Sequence, residues 1–227
     1  MKGKGLTMDR QGAGYSSELS IAILAGGKSS RMGVDKGLVS CFDLPMVSHI
    51  ISHLTPLTDS ILVVTNDHEK YAFLGVSLFS DVIPGKSSLG GLYSALYYAN
   101  TEFVAVIACD MIFANPAILL EGLQRLKATG SDVAIPKSSQ QYYEPLHALY
   151  RTDTCREAVL DAINQDQRRL IGWFPSVKVE EIDQITCQRL DPSGMAFINI
   201  NTPEEKVVAE AYLAEQQKKL VHLTDEL

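Results

Sequence analysis

Ile21-Ala22-Ile23-Leu24-Ala25-Gly26-Gly27-Lys28-Ser29-Ser30-Arg31-Met32-Gly33-Val34-Asp35-Lys36 reads as a short buried strand that breaks into a basic, glycine-rich loop. Four consecutive apolar residues ended by glycines fit a strand better than a helix. Gly26 and Gly27 allow close backbone approach to a ligand and positive φ. Successive backbone N–H groups in such a turn form an anion nest. Lys28, Arg31 and Lys36 against one Asp make the loop net positive. Basic side chains, free amides and small residues at a strand end suit a nucleoside triphosphate. The competing reading is an ordinary glycine turn with solvated charges.

Outward from this loop, short apolar runs alternate with helix-like segments. Strands are expected over 21–24, 61–64, 76–79, 103–108 and 132–135. Helical spacing of apolar residues predicts helices over 45–57, 69–74, 89–99 and 116–128 between them. After Pro136 the pattern loosens, with strands expected over 146–150, 177–182 and 196–200. Thr154-Cys155-Arg156-Glu157 has the spacing of a capping box and predicts a helix start. Thr202-Pro203-Glu204-Glu205 is a stronger start, with Pro at the first helical position, for a helix running toward Gln217. Such alternation implies a parallel sheet covered by helices on both faces, with ligands at the C-terminal edge of its strands.

The chain of 227 residues is 46% apolar and 21% charged, so it can bury a sizeable core without staples. Its net charge of −7 opposes binding to nucleic acid or to an anionic membrane. The four cysteines, Cys41, Cys109, Cys155 and Cys187, include no C-x-x-C pair, which argues against zinc and thioredoxin-type chemistry. Sparse cysteines and a polar, glycine-rich start without an apolar signal core predict reduced thiols in a cytoplasmic protein. Residues 1–19 are expected to be a flexible N-terminal tail, 20–217 a single domain and 218–227 a C-terminal tail.

Other residues bear on chemistry. Asp110 ends the apolar run 103–108, where a carboxylate at the ligand edge is a hard-oxygen donor for Mg²⁺. Asp81 follows the strand expected over 76–79. Each of the two also fits a plain turn. Gly27-Lys28-Ser29 and Gly85-Lys86-Ser87 look like P-loop ends, but the Gly that a P-loop needs five residues earlier is Ala22 in one and Ser80 in the other. No dinucleotide fingerprint follows the first strand. His49 and His53 share a helix face without a third ligand, so packing is favoured over metal binding. His147, in an apolar context, reads as a core histidine. Arg168-Arg169 fits either a phosphate clamp or a solvated pair. Trp173 and Tyr142-Tyr143 fit packing better than ring stacking.

The combination resembles the molybdenum cofactor guanylyltransferase family of small nucleotidyltransferases. The matching stretches are 24–36, then Asp81 with Pro84-Gly85 and Leu89-Gly90-Gly91-Leu92, then Ala108-Cys109-Asp110-Met111. Glu144-Pro145-Leu146-His147-Ala148 and Phe197-Ile198-Asn199-Ile200-Asn201-Thr202-Pro203-Glu204-Glu205 look like its later landmarks. The chain departs from the family's pattern at Asp43, Leu44, Ser87, Ser88 and Ile112, where Gly, Lys or Pro is usual. These changes alter loop stiffness without removing a charged catalytic group.

The resemblance implies a Rossmann-like three-layer α/β/α nucleotidyltransferase fold with a mostly parallel central sheet. It implies transfer of GMP from GTP to the terminal phosphate of molybdopterin or the molybdenum cofactor, with release of pyrophosphate. Leu24, Ala25 and Gly26 would contact the nucleotide by backbone. Lys36 would lie against its phosphates as a catalytic residue. Asp81 would help hold the nucleotide, and Asp110 would be catalytic and bind Mg²⁺. Gly27, Arg31, Asn66, Asn199 and Asn201 would be further contacts to nucleotide or pterin. Other cofactor-biosynthesis proteins or acceptor molybdoenzymes would be transient partners. The alternatives are a relative using CTP or another phosphorylated acceptor, and a catalytically silent nucleotide-binding protein.

Overall fold

The computed structural model describes residues 17–25 and 35–225, with side chains as far as Lys218. Strand β1 (Leu19–Leu24) is followed by a small hairpin, β2 (Ser40–Cys41) and β3 (Leu44–Pro45), and helix α1 (Met46–Leu54). Next come β4 (Ile61–Val64), α2 (His68–Tyr71), β5 (Ser77–Phe79), α3 (Ser87–Tyr98) and β6 (Phe103–Ala108). The second half holds α4 (Pro116–Thr129), β7 (Val133–Pro136), β8 (His147–Arg151), α5 (Thr152–Asn164), β9 (Val179–Ile182), α6 (Gln184–Leu190) and α7 (Pro203–Asp225).

One seven-stranded sheet has the order β5-β4-β1-β6-β8-β7-β9. Strand β8 is antiparallel to β6 and β7, and every other pairing in this sheet is parallel. The chain builds outward from β1 to β4 and β5, then returns to set β6 on the other side of β1. Strand order therefore reverses at β1, and its C-terminal end is where an open α/β sheet binds ligands.

Alternating side chains fill two layers. Ile21, Ile23, Val63, Ala105 and Ile107 face Val47, Ile50 and Leu54 of α1 and Leu119, Leu123 and Leu126 of α4. Ala22, Leu62, Val64, Val104 and Val106 face Leu89, Leu92 and Leu96 of α3 and Cys155, Val159 and Ile163 of α5. Burial on both faces explains why the central strands are apolar without a break. The expected three-layer α/β/α arrangement with a mostly parallel sheet is the one observed.

Several elements differ from the sequence reading. The first strand starts at Leu19, inside the stretch expected as a tail, because Leu19 pairs with Phe103 and is fully buried. Helix α7 continues to Asp225, through residues expected as a C-terminal tail. Helix α5 begins at Thr152 rather than at a Thr154 cap, since the Thr154 hydroxyl is engaged by Asp132 Oδ1 at 2.9 Å. The expected strand over 196–200 is an irregular loop: Ile198 N–H reaches Met195 O and Ile200 N–H reaches Asp110 O instead of a neighbouring strand. Helix α6 and the β2–β3 hairpin had no expectation. The hairpin turns at Phe42 and Asp43, both at positive φ (48° and 65°), without the Asn-Gly pair that signals such a turn.

Helix α4 starts as its Pro116 predicts, and Asn115 caps it by accepting from Ala117 N–H (2.8 Å) and Ile118 N–H (3.2 Å). Asn115→Ala is expected to lower stability by about 0.5–2 kcal/mol, read as a shift of the urea midpoint at constant slope. In β8, His147 Nε2 accepts the Asn115 N–H at 2.9 Å, and burial pushes the His147 pKa down to about 4. An unfolded His titrates near 6.5. The contribution of His147 is therefore fully present above about 6.5 and is lost as the pH falls toward 4. Its ring nitrogen resonances in NMR are expected to stay those of a neutral imidazole at pH 5.5.

Candidate active site

Strands β1, β4, β5 and β6 all end at one edge, and backbone hydrogen bonds continue beyond the strands proper. Ala25 N–H reaches Val64 O (2.9 Å), Thr65 N–H reaches Phe79 O (2.7 Å) and Cys109 N–H reaches Leu24 O (3.2 Å). These bonds set where each loop leaves the sheet. Ala25, Asn66, Asp81 and Asp110 stand one or two residues past their strands.

The chemical centre of this edge is Lys36. Its Nζ lies 3.3 Å from Asp110 Oδ2 and also donates to Asn201 Oδ1. The side chains of Lys36 and Asp110 are 27% and 16% exposed, so solvent screens the pair only in part. Three residues from distant parts of the sequence thus meet at one point.

Each is fixed by its own local structure. Lys36 opens a turn of 3₁₀ helix capped by Asp35, whose Oδ1 accepts from Gly37 N–H (3.2 Å) and from the Tyr71 hydroxyl (2.6 Å). Tyr71 is fully buried, and burial together with the Asp35 carboxylate holds its hydroxyl well above the usual phenol range, so it stays a donor. A Cβ on Gly37 would lie 2.5 Å from Tyr71 Oη, so the tie requires glycine there. The loop holding Asn201 is pinned by Ile200 N–H to Asp110 O (3.0 Å). Glu205 Oε2 then accepts from Asn201 N–H (2.6 Å) and Thr202 N–H (2.9 Å), while Thr202 Oγ1 accepts from Glu205 N–H. The capping box expected at 202–205 is therefore present, and it also positions Asn201.

A second polar pair stands at the ends of β4 and β5. Asn66 Nδ2 donates to Asp81 Oδ2, and Asp81 N–H donates to Asn66 Oδ1, both at 3.0 Å. Neighbouring Asp67 instead caps α2. Beside them, Leu24 packs over Gly91 of α3, where a Cβ would come within 3.2 Å of Leu24 Cδ1. Asn199 shares the Asn201 loop, with Asn201 Nδ2 donating to its carbonyl at 3.4 Å. Gly26, Gly27 and Arg31, together with Lys28, lie outside the described residues.

Other candidates fall away from this point. His49 and His53 donate to the carbonyls of Cys41 and Ile112, a packing role. Trp173 is buried and donates to Leu170 O. Arg168 is solvent-exposed, 3.9 Å from Asp166. Burial and the neighbouring Asp110 charge push the Cys109 thiol up to about 12, which leaves it protonated and unreactive at neutral pH. Among the described residues, no three His, Cys, Asp or Glu side chains gather into a metal cage, so a cation at this edge would rely on Asp110 and on ligand oxygens. Sequence reasoning gave no site role to Tyr71 or Glu205, which reach the site only through Asp35 and Asn201. The Glu205 position was visible as a helix start, whereas nothing in the sequence pairs Tyr71 with Asp35.

Known proteins resemble this chain in sequence and in fold. The family described as the MobA-like NTP transferase domain matches residues 21–179. A probable molybdenum cofactor guanylyltransferase from Peptoclostridium acidaminophilum is 32% identical over 194 residues, 82% of this chain and 86% of that protein. A molybdenum cofactor guanylyltransferase from Syntrophotalea carbinolica is 30% identical, with 82% and 88% covered. The crystal structure of molybdopterin-guanine dinucleotide biosynthesis protein A from Archaeoglobus fulgidus superposes with a TM-score of 0.75 at 25% identity, covering 86% of this chain and 99% of that one. A cytidylyltransferase from Leptospira borgpetersenii shares the fold, with a TM-score of 0.66 at 14% identity and 87% of each chain covered. With the matched region spanning every strand from β1 to the first residue of β9, the chain belongs to the MobA-like NTP transferase family and is a nucleotidyltransferase.

Proposed function

We propose that the protein transfers GMP from GTP to the terminal phosphate of molybdopterin or the molybdenum cofactor, making the guanine dinucleotide cofactor and releasing pyrophosphate. The observation that carries this reading is the meeting of Lys36, Asp110 and Asn201 at the strand edge where sheet order reverses. The relatives' names supply the nucleotide and the acceptor.

The acceptor phosphate is already an anion at neutral pH, so the reaction needs alignment and charge neutralisation more than a strong base. Lys36 places one ammonium where triphosphate oxygens would run. Asn201, held by Glu205, offers its amide to the same oxygens. Leu24 and Ala25, whose N–H is already bonded to Val64 O, would line the nucleotide as a floor, while Gly26 and Gly27 would offer backbone N–H groups and Arg31 a further cation. Asn66 clamps one oxygen of Asp81 and leaves Oδ1 to accept from the N–H edge of guanine. Asn199 would face the acceptor. Nucleotidyltransferases of this family generally use a divalent metal. Mg²⁺ fits Asp110, because it commonly takes one or two carboxylates and fills its remaining positions with phosphate oxygens and water. When bound it would add positive charge against the triphosphate.

Residues 20–217 are read as one nucleotidyltransferase domain, in keeping with the continuous sheet. All four cysteines are free, which supports residence in a reducing compartment, the cytoplasm. No helix of the described residues is long and apolar enough to cross a membrane. Brief contacts with other cofactor-biosynthesis proteins or with the molybdoenzymes that receive the product complete the proposal.

Thermal shift with GTP, CTP and ATP, each with and without Mg²⁺, tests the nucleotide. GTP at about 100 times its Kd should add about 2.7 kcal/mol of stability and exceed the others; a larger shift with CTP overturns the guanine assignment. Asp110→Ala should cut transfer by about 100-fold or more while the far-ultraviolet circular dichroism stays unchanged. Wild-type turnover in that variant would remove Asp110 from the mechanism. Tyr71→Phe keeps the ring and deletes the bond to Asp35. It should cost about 1–3 kcal/mol of stability and lower kcat about 10- to 100-fold, with KM for GTP changed little, as expected when Lys36 is misplaced rather than lost.

A further inference from the structure

Helix α7 runs for 23 residues, about 34 Å at 1.5 Å per residue. Its inner face holds it to the domain. Ala209 is buried, and Tyr212 and Leu213 pack against the cluster of Cys41, Met46, Phe113 and Ile200. The Tyr212 ring meets the Phe113 ring edge-on at 5.1 Å, and Glu210 Oε1 accepts from Phe42 N–H at 3.1 Å. In the first turn, Glu205 holds Asn201.

The outer face is uncovered. Glu204, Val208, Ala211, Glu215 and Lys218 are all exposed and recur at spacings of four, three, four and three. That is the spacing of a coiled-coil seam, which keeps one line of residues turned toward a partner helix. Val207 widens the apolar part: Val207 and Val208 are 64% and 60% exposed, on a face that in a monomer carries polar residues. Opposite charges stand at the two ends. Glu204 and Lys218 lie seven positions, about two turns, either side of Ala211. Neither has a hydrogen bond or ion pair among the described residues, whereas Glu215 does have a partner.

We infer that this face pairs with the same face of a second copy of the chain, the two α7 helices running antiparallel with Ala211 at the two-fold axis. This alignment sets Glu204 opposite Lys218 of the second copy at both ends of the seam. It packs Val207 and Val208 of each helix around the two alanines. A parallel pairing would bring glutamate to glutamate and lysine to lysine. The face is thus complementary to itself only in the antiparallel sense, which is the condition for an isologous dimer. Alanine at the axis lets the helices approach closely, and opposed helix dipoles favour the same direction. The seam from Glu204 to Lys218 is about 21 Å long, a small interface, so the dimer is weak. Pairing would brace the first turn of α7, where Glu205 holds Asn201. The inference stands apart from which nucleotide or acceptor the protein uses.

Sedimentation equilibrium of the full-length protein reads the association directly. Wild type should dimerise with a Kd of about 10–100 µM, as suits a small interface. Val208→Asp puts a carboxylate into the seam and should weaken the dimer at least about tenfold. Glu204→Lys and Lys218→Glu each set like charges together at both ends, and each should weaken it about tenfold. The double variant restores opposite charges with the signs exchanged, and its Kd should return to within about threefold of wild type. Unchanged far-ultraviolet circular dichroism shows that every variant folds, since all three positions are on the helix surface. A wild type that stays monomeric up to about 1 mM overturns the inference. So does a dimer that Val208→Asp leaves intact, or a double variant no tighter than the weaker of the two single reversals.

Discussion

The ion pair between Lys36 and Asp110, 3.3 Å across 74 residues of sequence, is the contact on which the arrangement of the site depends. It exists because β1 and β6 are neighbours in register, so that Leu24 and Ala108 end side by side. The loop after β1 must return to the edge, and the Asp35–Tyr71–Gly37 contact brings it there. The loop before α7 must cross the same edge, and the bond from Ile200 N–H to Asp110 O holds it. Each of these ties helps to hold Lys36, Asp110 and Asn201 at one point.

The sheet and the site make opposite demands. The core needs continuous apolar strands, and β1, β4 and β6 supply them with both faces covered. The site needs charge next to that core. The chain meets both by placing its polar residues one or two positions beyond the strand ends, where carboxylates and ammonium groups keep some access to solvent. A charge deeper in β6 would lack partners and carry a large desolvation penalty. Further back, His147 answers the same demand by staying neutral and accepting a backbone N–H.

Legibility in the sequence followed how local each feature is. Strand β6 was readable at its observed bounds because both of its faces are buried and every residue is apolar. The capping box at 202–205 was readable because its partners lie three residues apart. The 196–200 segment was misread: Ala196 and Ile200 are buried as a strand's inner face would be, but its backbone N–H groups go to Asp191, Met195 and Asp110. The Thr154 start was misread because Asp132, 22 residues earlier, competes for the hydroxyl. The β2–β3 hairpin carries a Phe-Asp turn at positive φ, a choice that local preference disfavours and that tertiary packing of Cys41 and Met46 supports.

By itself the sequence determined the strand–helix alternation, the basic glycine loop after the first strand and the carboxylates that end later strands. Those are properties of short windows, set by apolar period and by turn chemistry. Only the tertiary structure decided that β8 lies reversed between β6 and β7, that Asn66 clamps Asp81, and that Lys36 meets Asn201 from 165 positions away. Those contacts follow from strand order and from a few backbone bonds between loops. Neither leaves a periodic trace in the residues that make them.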